Sequence, residues 1–87
     1  MEFEFNSLKS QANKVKHGID FIEAQALWLD EDRSQTTARA DDEPRILIVG
    51  RIEGRHWTAV ITYRGERIRI ISVRRSRDRE VEIYEGS

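Results

Sequence analysis

Phe3 and Phe5 alternate with Glu2 and Glu4, the two-residue period of a half-buried strand. The period then changes. Leu8, Ala12 and Val15 recur at helical spacing behind Asn6 or Ser7 as N-cap, which predicts a helix with those three on its buried face. Gly18 sits where a left-handed C-terminal cap is wanted, and Lys14, Lys16 and His17 suit the negative end of the helix dipole. Asp20, with Glu23 three residues on, has the spacing of a capping box and opens a second predicted helix. Phe21, Ala24 and Trp28 line one face of it, and Ala26, Leu27 and Leu29 widen that face; Asp30-Glu31-Asp32 ends it.

Beyond this point the pattern is that of strands. Gln35-Thr36-Thr37-Ala38 is polar and weak, as suits an edge strand. Asp41-Asp42-Glu43-Pro44 reads as a turn, because Pro44 biases Glu43 away from helix. Ile46-Leu47-Ile48-Val49 is apolar on both faces, as expected of a strand covered on both sides. Tight turns at Glu53-Gly54 and Arg64-Gly65-Glu66 separate it from His56–Tyr63 and Arg67–Arg74, giving a three-stranded antiparallel meander. Arg77–Tyr84 is a short C-terminal helix, with Val81 and Tyr84 three apart. The predicted fold is therefore α+β: an antiparallel sheet with two N-terminal helices packed on it and a short helix at the end. Residues 1–87, at 10.2 kDa, form one domain with a thin core.

Composition narrows the functional classes. The chain has no cysteine, which removes disulfide scaffolds, thiol chemistry and Cys-ligated zinc. Its longest apolar run is four residues, far short of the ~20 needed to cross a bilayer. MEFEFNSLKS has neither the basic start nor the apolar middle of a signal peptide, so a cytoplasmic location is expected. The net charge of −1 hides an uneven distribution. Residues 20–43 hold eight acids and two bases, whereas residues 64–79 hold seven arginines and two acids. Such asymmetry marks either a polyanion-binding face or two segments that neutralise each other.

The chemistry concentrates in Arg67-Ile68-Arg69-Ile70-Ile71-Ser72-Val73-Arg74-Arg75-Ser76-Arg77. Strict alternation puts Arg67 and Arg69 on one side of that strand and Arg74 on the other. Guanidinium groups there must meet carboxylates, phosphates or water. One reading is a groove that grips RNA phosphates through the planar guanidinium fork; the other pairs Arg67 or Arg69 with Glu43, Glu53 or an acid of the second helix. His17, an imidazole beside Lys16, either serves as an acid or base or satisfies the last carbonyls of its helix. His56 reads as structural. Two histidines without supporting carboxylate spacing make no metal site, and neither acidic run has the calcium-loop pattern. No P-loop, dinucleotide fingerprint or nucleophile elbow is present, so no cofactor is expected.

Lys9-x-x-x-Asn13-x-x-Lys16-His17-Gly18-x-x-Phe21-x-x-Ala24 resembles the N-terminal signature of the BrnT family of bacterial toxins. Glu43, Arg45 and Gly50 resemble its Glu-x-Arg segment, and Arg69-Ile70-Ile71-Ser72-x-Arg74 with Glu80 and Tyr84 resembles its C-terminal motif. Two departures stand out: Val73-Arg74-Arg75-Ser76 where the family often has Ala-Arg-Lys/Arg-Ala, and Pro44 where a second charged residue is common. The resemblance covers essentially the whole chain. It implies a RelE-like fold, a metal-independent ribonuclease toxin that blocks translation, and a BrnA-like antitoxin that masks the active surface. On that basis Arg69 and Arg74 are candidates for the cationic role, helped by Arg45 or Lys16, with His17 or Glu43 as acid or base. Lys16, Arg67, Arg75 and Arg77 are candidate RNA contacts. With no recognition helix of its own, the isolated chain is not expected to bind DNA sequence-specifically. Its thin core is compatible with a homodimer. The competing reading is a non-catalytic module whose arginine face docks an acidic protein partner or RNA.

Overall fold

The computed structural model describes residues 1–38 and 43–86. Five strands form one sheet in the order β1-β5-β4-β3-β2, where β1 is Glu2–Glu4, β2 Ser34–Ala38, β3 Arg45–Ile52, β4 Arg55–Arg64 and β5 Arg67–Arg75. β2 to β5 pair antiparallel, which contains the expected meander and the polar edge strand. The sheet is mixed rather than purely antiparallel, because β1 pairs parallel to β5 and sets Glu2 against Arg67 and Glu4 against Arg69. The chain between these parallel neighbours runs through both helices and then β2, β3 and β4. Of the turn expected at Asp41–Pro44, Asp41 and Asp42 lie outside the described residues.

One sheet face carries the core. Ile48, Ala59, Ile61, Ile68, Ile70 and Val73 are buried there with Phe21, Ala24 and Leu27 from the helical layer. Phe3 meets Trp28 and Phe5 meets Phe21 edge to face, at centroid distances of 4.8 and 5.7 Å. Those rings tie the N-terminal strand to the helical layer.

The helical layer departs from the expected pattern twice. Helix α1, Ser7–His17, begins at Asn6, whose side chain accepts from the Lys9 N–H, and ends at Gly18 in the left-handed conformation with φ 84°. Its buried residues, however, are Ser10 and Asn13, while Leu8 and Val15 are 75% and 90% exposed. The polar face wins because it has backbone to satisfy. Ser10 Oγ accepts from the Phe21 N–H, and the Asn13 carboxamide accepts from the Val73 N–H and donates to the carbonyls of Val73 and Ile19. β1 pairs with β5 only as far as Arg69, and Asn13 satisfies the strand's edge beyond it, at Val73.

The second helix is a 3-10 helix, Glu23–Leu29. The capping box forms as expected: Asp20 Oδ1 accepts from the Ile22 and Glu23 N–H groups, and Glu23 Oε1 accepts from the Asp20 N–H. Its buried residues, Ala24 and Leu27, are three apart, continuing the spacing from Phe21 in the preceding turn, the period of a 3-10 helix rather than of an α-helix. It packs closely on β3: a Cβ at Gly50 would meet Leu27 Cδ2 at 3.0 Å and Asp30 Oδ2 at 3.2 Å. Helix α2, Asp78–Glu85, associates with the other sheet face through Glu80 and anchors by the Tyr84 hydroxyl, which donates to Asp30 at 2.6 Å. That bond to a carboxylate pushes the Tyr84 pKa up to about 12.

Candidate functional site: an arginine face on the central sheet

The key local feature is an irregularity in β5. Val60 pairs with Ser72 and Ile61 with Ile70, so Ile71 is an extra residue without a counterpart. Alternation therefore restarts. Ile68, Ile70 and Val73 enter the core, and Arg67, Arg69, Ser72 and Arg74 share the second face, opposite Arg64, Thr62, Val60 and Thr58 of β4. The expectation that Arg69 and Arg74 lie on opposite sides is thus overturned: five residues apart, they would be separated in a regular strand. Their rows are four β4 residues apart, about 13 Å along the strand.

The two rows differ in chemistry. In the Arg74 row, the guanidinium makes two parallel bonds to Glu80, Nη1 to Oε1 and Nη2 to Oε2, both 2.8 Å. Glu80 also accepts from the Thr58 hydroxyl and, as the third residue of α2, from the Arg77 N–H. Arg74 first, then those other donors, hold the Glu80 carboxyl at about 2, and the same pair raises the pKa of Arg74. In the Arg69 row, a single 3.2 Å contact joins Arg69 to Glu4, and both side chains stay more than a quarter exposed. Arg67 meets Glu2 at 3.3 Å on the surface. These partners come from β1, not from Glu43, Glu53 or the second helix.

Thr62 ties the start of β3 to the Arg69 row. Its hydroxyl donates to the Pro44 carbonyl at 2.9 Å, and it lies opposite Arg69. Glu43 lies 3.6 Å from Arg64. Arg45, at the start of β3 on the same face as Leu47 and Val49, forms no ion pair among the described residues.

Helix α1 adds a third group. A cavity of about 270 Å³ between α1 and β5 is lined by Lys9, Lys16 and His17 together with Asn13, Ile71 and Ser72. His17 is thereby placed beside the bulged segment, between the Arg69 and Arg74 rows. The remaining arginines lie elsewhere. Arg75 is on the core face at the strand end, 5.4 Å over the Trp57 ring and donating to the His56 carbonyl. Arg77 precedes α2 and is exposed. His56 is structural, as expected: it pairs with Glu85 at 2.8 Å and packs edge-on against Tyr84.

Sequence reasoning passed over Thr62, Thr58 and Glu4 as site residues. Only Glu4 carried a signal, since its alternation with Phe3 and Phe5 put a carboxylate on the face away from the core. Among the described residues no three His, Asp or Glu side chains are grouped to hold a metal ion, and no helix is long and apolar enough to cross a membrane.

A small α+β domain that turns a row of arginines, a hydroxyl pair and a basic helix edge towards one surface has the layout of a polyanion-handling protein. The family model described as ribonuclease toxin, BrnT, of type II toxin–antitoxin system matches residues 5–80, and the chain belongs to that family. RNA is the substrate class, and an antitoxin the partner, that this family implies. No curated protein matches the chain.

Proposed function

We propose that the chain is a metal-independent endoribonuclease of RelE-like fold that acts in the cytoplasm, inhibits translation and is neutralised by a BrnA-like antitoxin. The observation that carries this reading is the β5 bulge, which gathers Arg69, Ser72 and Arg74 on the face reached by Arg45 and beside the cavity of His17 and Lys16. Arg69 and Arg45 are the cations for the crowded phosphorane-like state, since neither is locked as Arg74 is by Glu80. Arg74, gripped by Glu80, holds α2 and the strand end in place and acts as a positioning residue. Lys16, Arg67 and Arg77 contact RNA phosphates, while Arg75, stacked on Trp57, would reach only a strand that wraps the sheet end.

His17, at the end of α1, and Glu43, just before β3, flank the row and supply the acid and base. The base takes the ribose 2′-hydroxyl proton, O2′ attacks phosphorus, and the P–O5′ bond breaks as the acid protonates O5′. The products are a 2′,3′-cyclic phosphate and a 5′-hydroxyl. All of these groups are side chains of this protein, and none requires a metal-bound water.

Expression in a bacterial host should arrest growth with RNA cleavage, and co-expression of the antitoxin should relieve it. End-group analysis of the cut RNA should find 2′,3′-cyclic phosphate; 5′-phosphate ends would refute the scheme. Tight RNA binding without cleavage would favour the docking-module reading instead.

A further inference from the structure

Helix α1 presents an anomaly that the ribonuclease chemistry leaves unused. Its buried side is polar, and Leu8, Ala12 and Val15, one stripe at i, i+4 and i+7, face solvent, with Leu8 and Val15 75% and 90% exposed. A small domain with a thin core gains nothing in stability by holding such side chains in water, and an exposed apolar stripe rimmed by polar groups marks an interaction surface. The rim is of one sign. Every ionisable side chain of α1 is basic, Lys9, Lys14, Lys16 and His17. Lys14 is engaged by Glu23 at 2.8 Å, whereas Lys9 and Lys16 form no ion pair among the described residues.

At about 100° per residue, Lys9 and Lys16 stand beside the stripe on the side that faces the cavity of His17 and Ser72. We infer that the Leu8–Ala12–Val15 stripe is the docking surface for a segment of the antitoxin that carries apolar side chains flanked by Asp or Glu. Seated there, its carboxylates reach Lys9 and Lys16 and its bulk lies over the His17 cavity, so binding and neutralisation are one event. A second copy of this chain is disfavoured as occupant, since two such helices face to face would oppose lysines. This inference rests on the toxin reading for its partner, not on the assignment of any catalytic group.

The test uses the full chain, its cognate antitoxin and the double variant Leu8→Gln/Val15→Gln. Both positions are exposed and Gln is a good helix former, so the melting temperature and the RNA cleavage of the free variant should match wild type. Binding by calorimetry should weaken at least tenfold, co-expressed antitoxin should no longer rescue growth, and the wild-type complex should loosen as salt rises. Unchanged affinity in the double variant, no complex with wild type, or a salt-independent affinity would each overturn the proposal. So would a wild-type homodimer that the double variant dissociates, or binding to anionic vesicles through the same residues with antitoxin affinity intact. If wild type cleaves no RNA but its antitoxin binding still falls in the variant, the docking surface stands and the ribonuclease reading fails.

Discussion

At the α2 end of the second sheet face, Arg74 is locked: its planar fork meets a carboxylate that two further donors orient, and the pair is 21% and 12% exposed. Two rows away, Arg69 has one 3.2 Å contact to a carboxylate on a three-residue edge strand, and Arg45 has no ion pair among the described residues. Both ends use the same residue type on the same face of the same sheet. The difference lies in what the neighbours leave unsatisfied. A guanidinium whose terminal fork is filled by a carboxylate stabilises the fold and has less left for a phosphate, while one held by a single contact can exchange that contact for a ligand. On the proposed reading the two ends divide the work, with Arg74 positioning α2 and Arg69 available to the substrate.

The largest effect that would break this division is on turnover. Arg69→Ala should lower RNA cleavage by about 10²- to 10³-fold, the magnitude typical of losing one donor to a developing charge. Its melting curve should barely move, because the Glu4 contact is partly exposed and worth under ~1 kcal/mol. Cleavage assays beside thermal melts read both quantities. Full activity in Arg69→Ala would move the cationic role elsewhere on the face.

Glu80→Ala should show the opposite profile. It strips Arg74 of its partner, leaves the Arg77 N–H without its acceptor and leaves the buried Thr58 hydroxyl only Ser76, so a stability loss of about 2–3 kcal/mol is expected. For a domain this small that corresponds to a drop in melting temperature of about 10 to 20 °C. Any lost cleavage should return at low temperature, where the variant is folded. A variant that melts like wild type yet is inactive would make Glu80 part of the chemistry instead.

These outcomes bear on what could be read from the residues alone. The strands were legible because Ile46–Val49, His56–Tyr63 and Arg67–Arg74 carry unambiguous β patterns between Gly turns. The sides of α1 were not. Hydrophobicity placed Leu8 and Val15 inward, but the competing demand came from the edge of β5, sixty residues away, which only a carboxamide such as that of Asn13 could satisfy. The bulge at Ile71 was equally silent, since two adjacent isoleucines fit a regular strand as well as an irregular one. Its consequence for the site is large, because it alone decides whether Arg69 and Arg74 share a face. The partners of Arg67 and Arg69 were missed for a related reason: pairing with β1 is parallel and long-range, and no local spacing announces it.

The locked end also has a pH signature. The folded Glu80 carboxyl sits at about 2 against an ordinary value of 4.5. A depressed folded value means the stabilisation is present above about pH 4.5 and is lost as pH falls from there towards 2. Thermal melts between pH 7 and pH 3 should show this acid limb in wild type, and Glu80→Gln should flatten it while starting from lower stability. An acid limb of equal size in Glu80→Gln would assign it to other carboxylates and remove the argument that Arg74 is committed to Glu80.

The smallest effect tests the most loosely held case, Arg67, at the exposed end of the row. Its 3.3 Å contact with Glu2 joins side chains that are both more than half exposed, so neither partner is fixed and solvent screens the pair. Arg67→Ala should therefore change stability by no more than a few tenths of a kcal/mol. If Arg67 lies along the RNA path, its contribution is one phosphate contact, which weakens binding about equally for all sequences. The slope of log affinity against log salt should then fall by about 0.7, the single-strand value for one lost contact. Turnover at saturating RNA should be unchanged, because the contact forms equally in ground and transition states. A fall in turnover at saturation would extend the reactive region to the strand end, whereas an unchanged salt slope would stop the RNA path at Arg69.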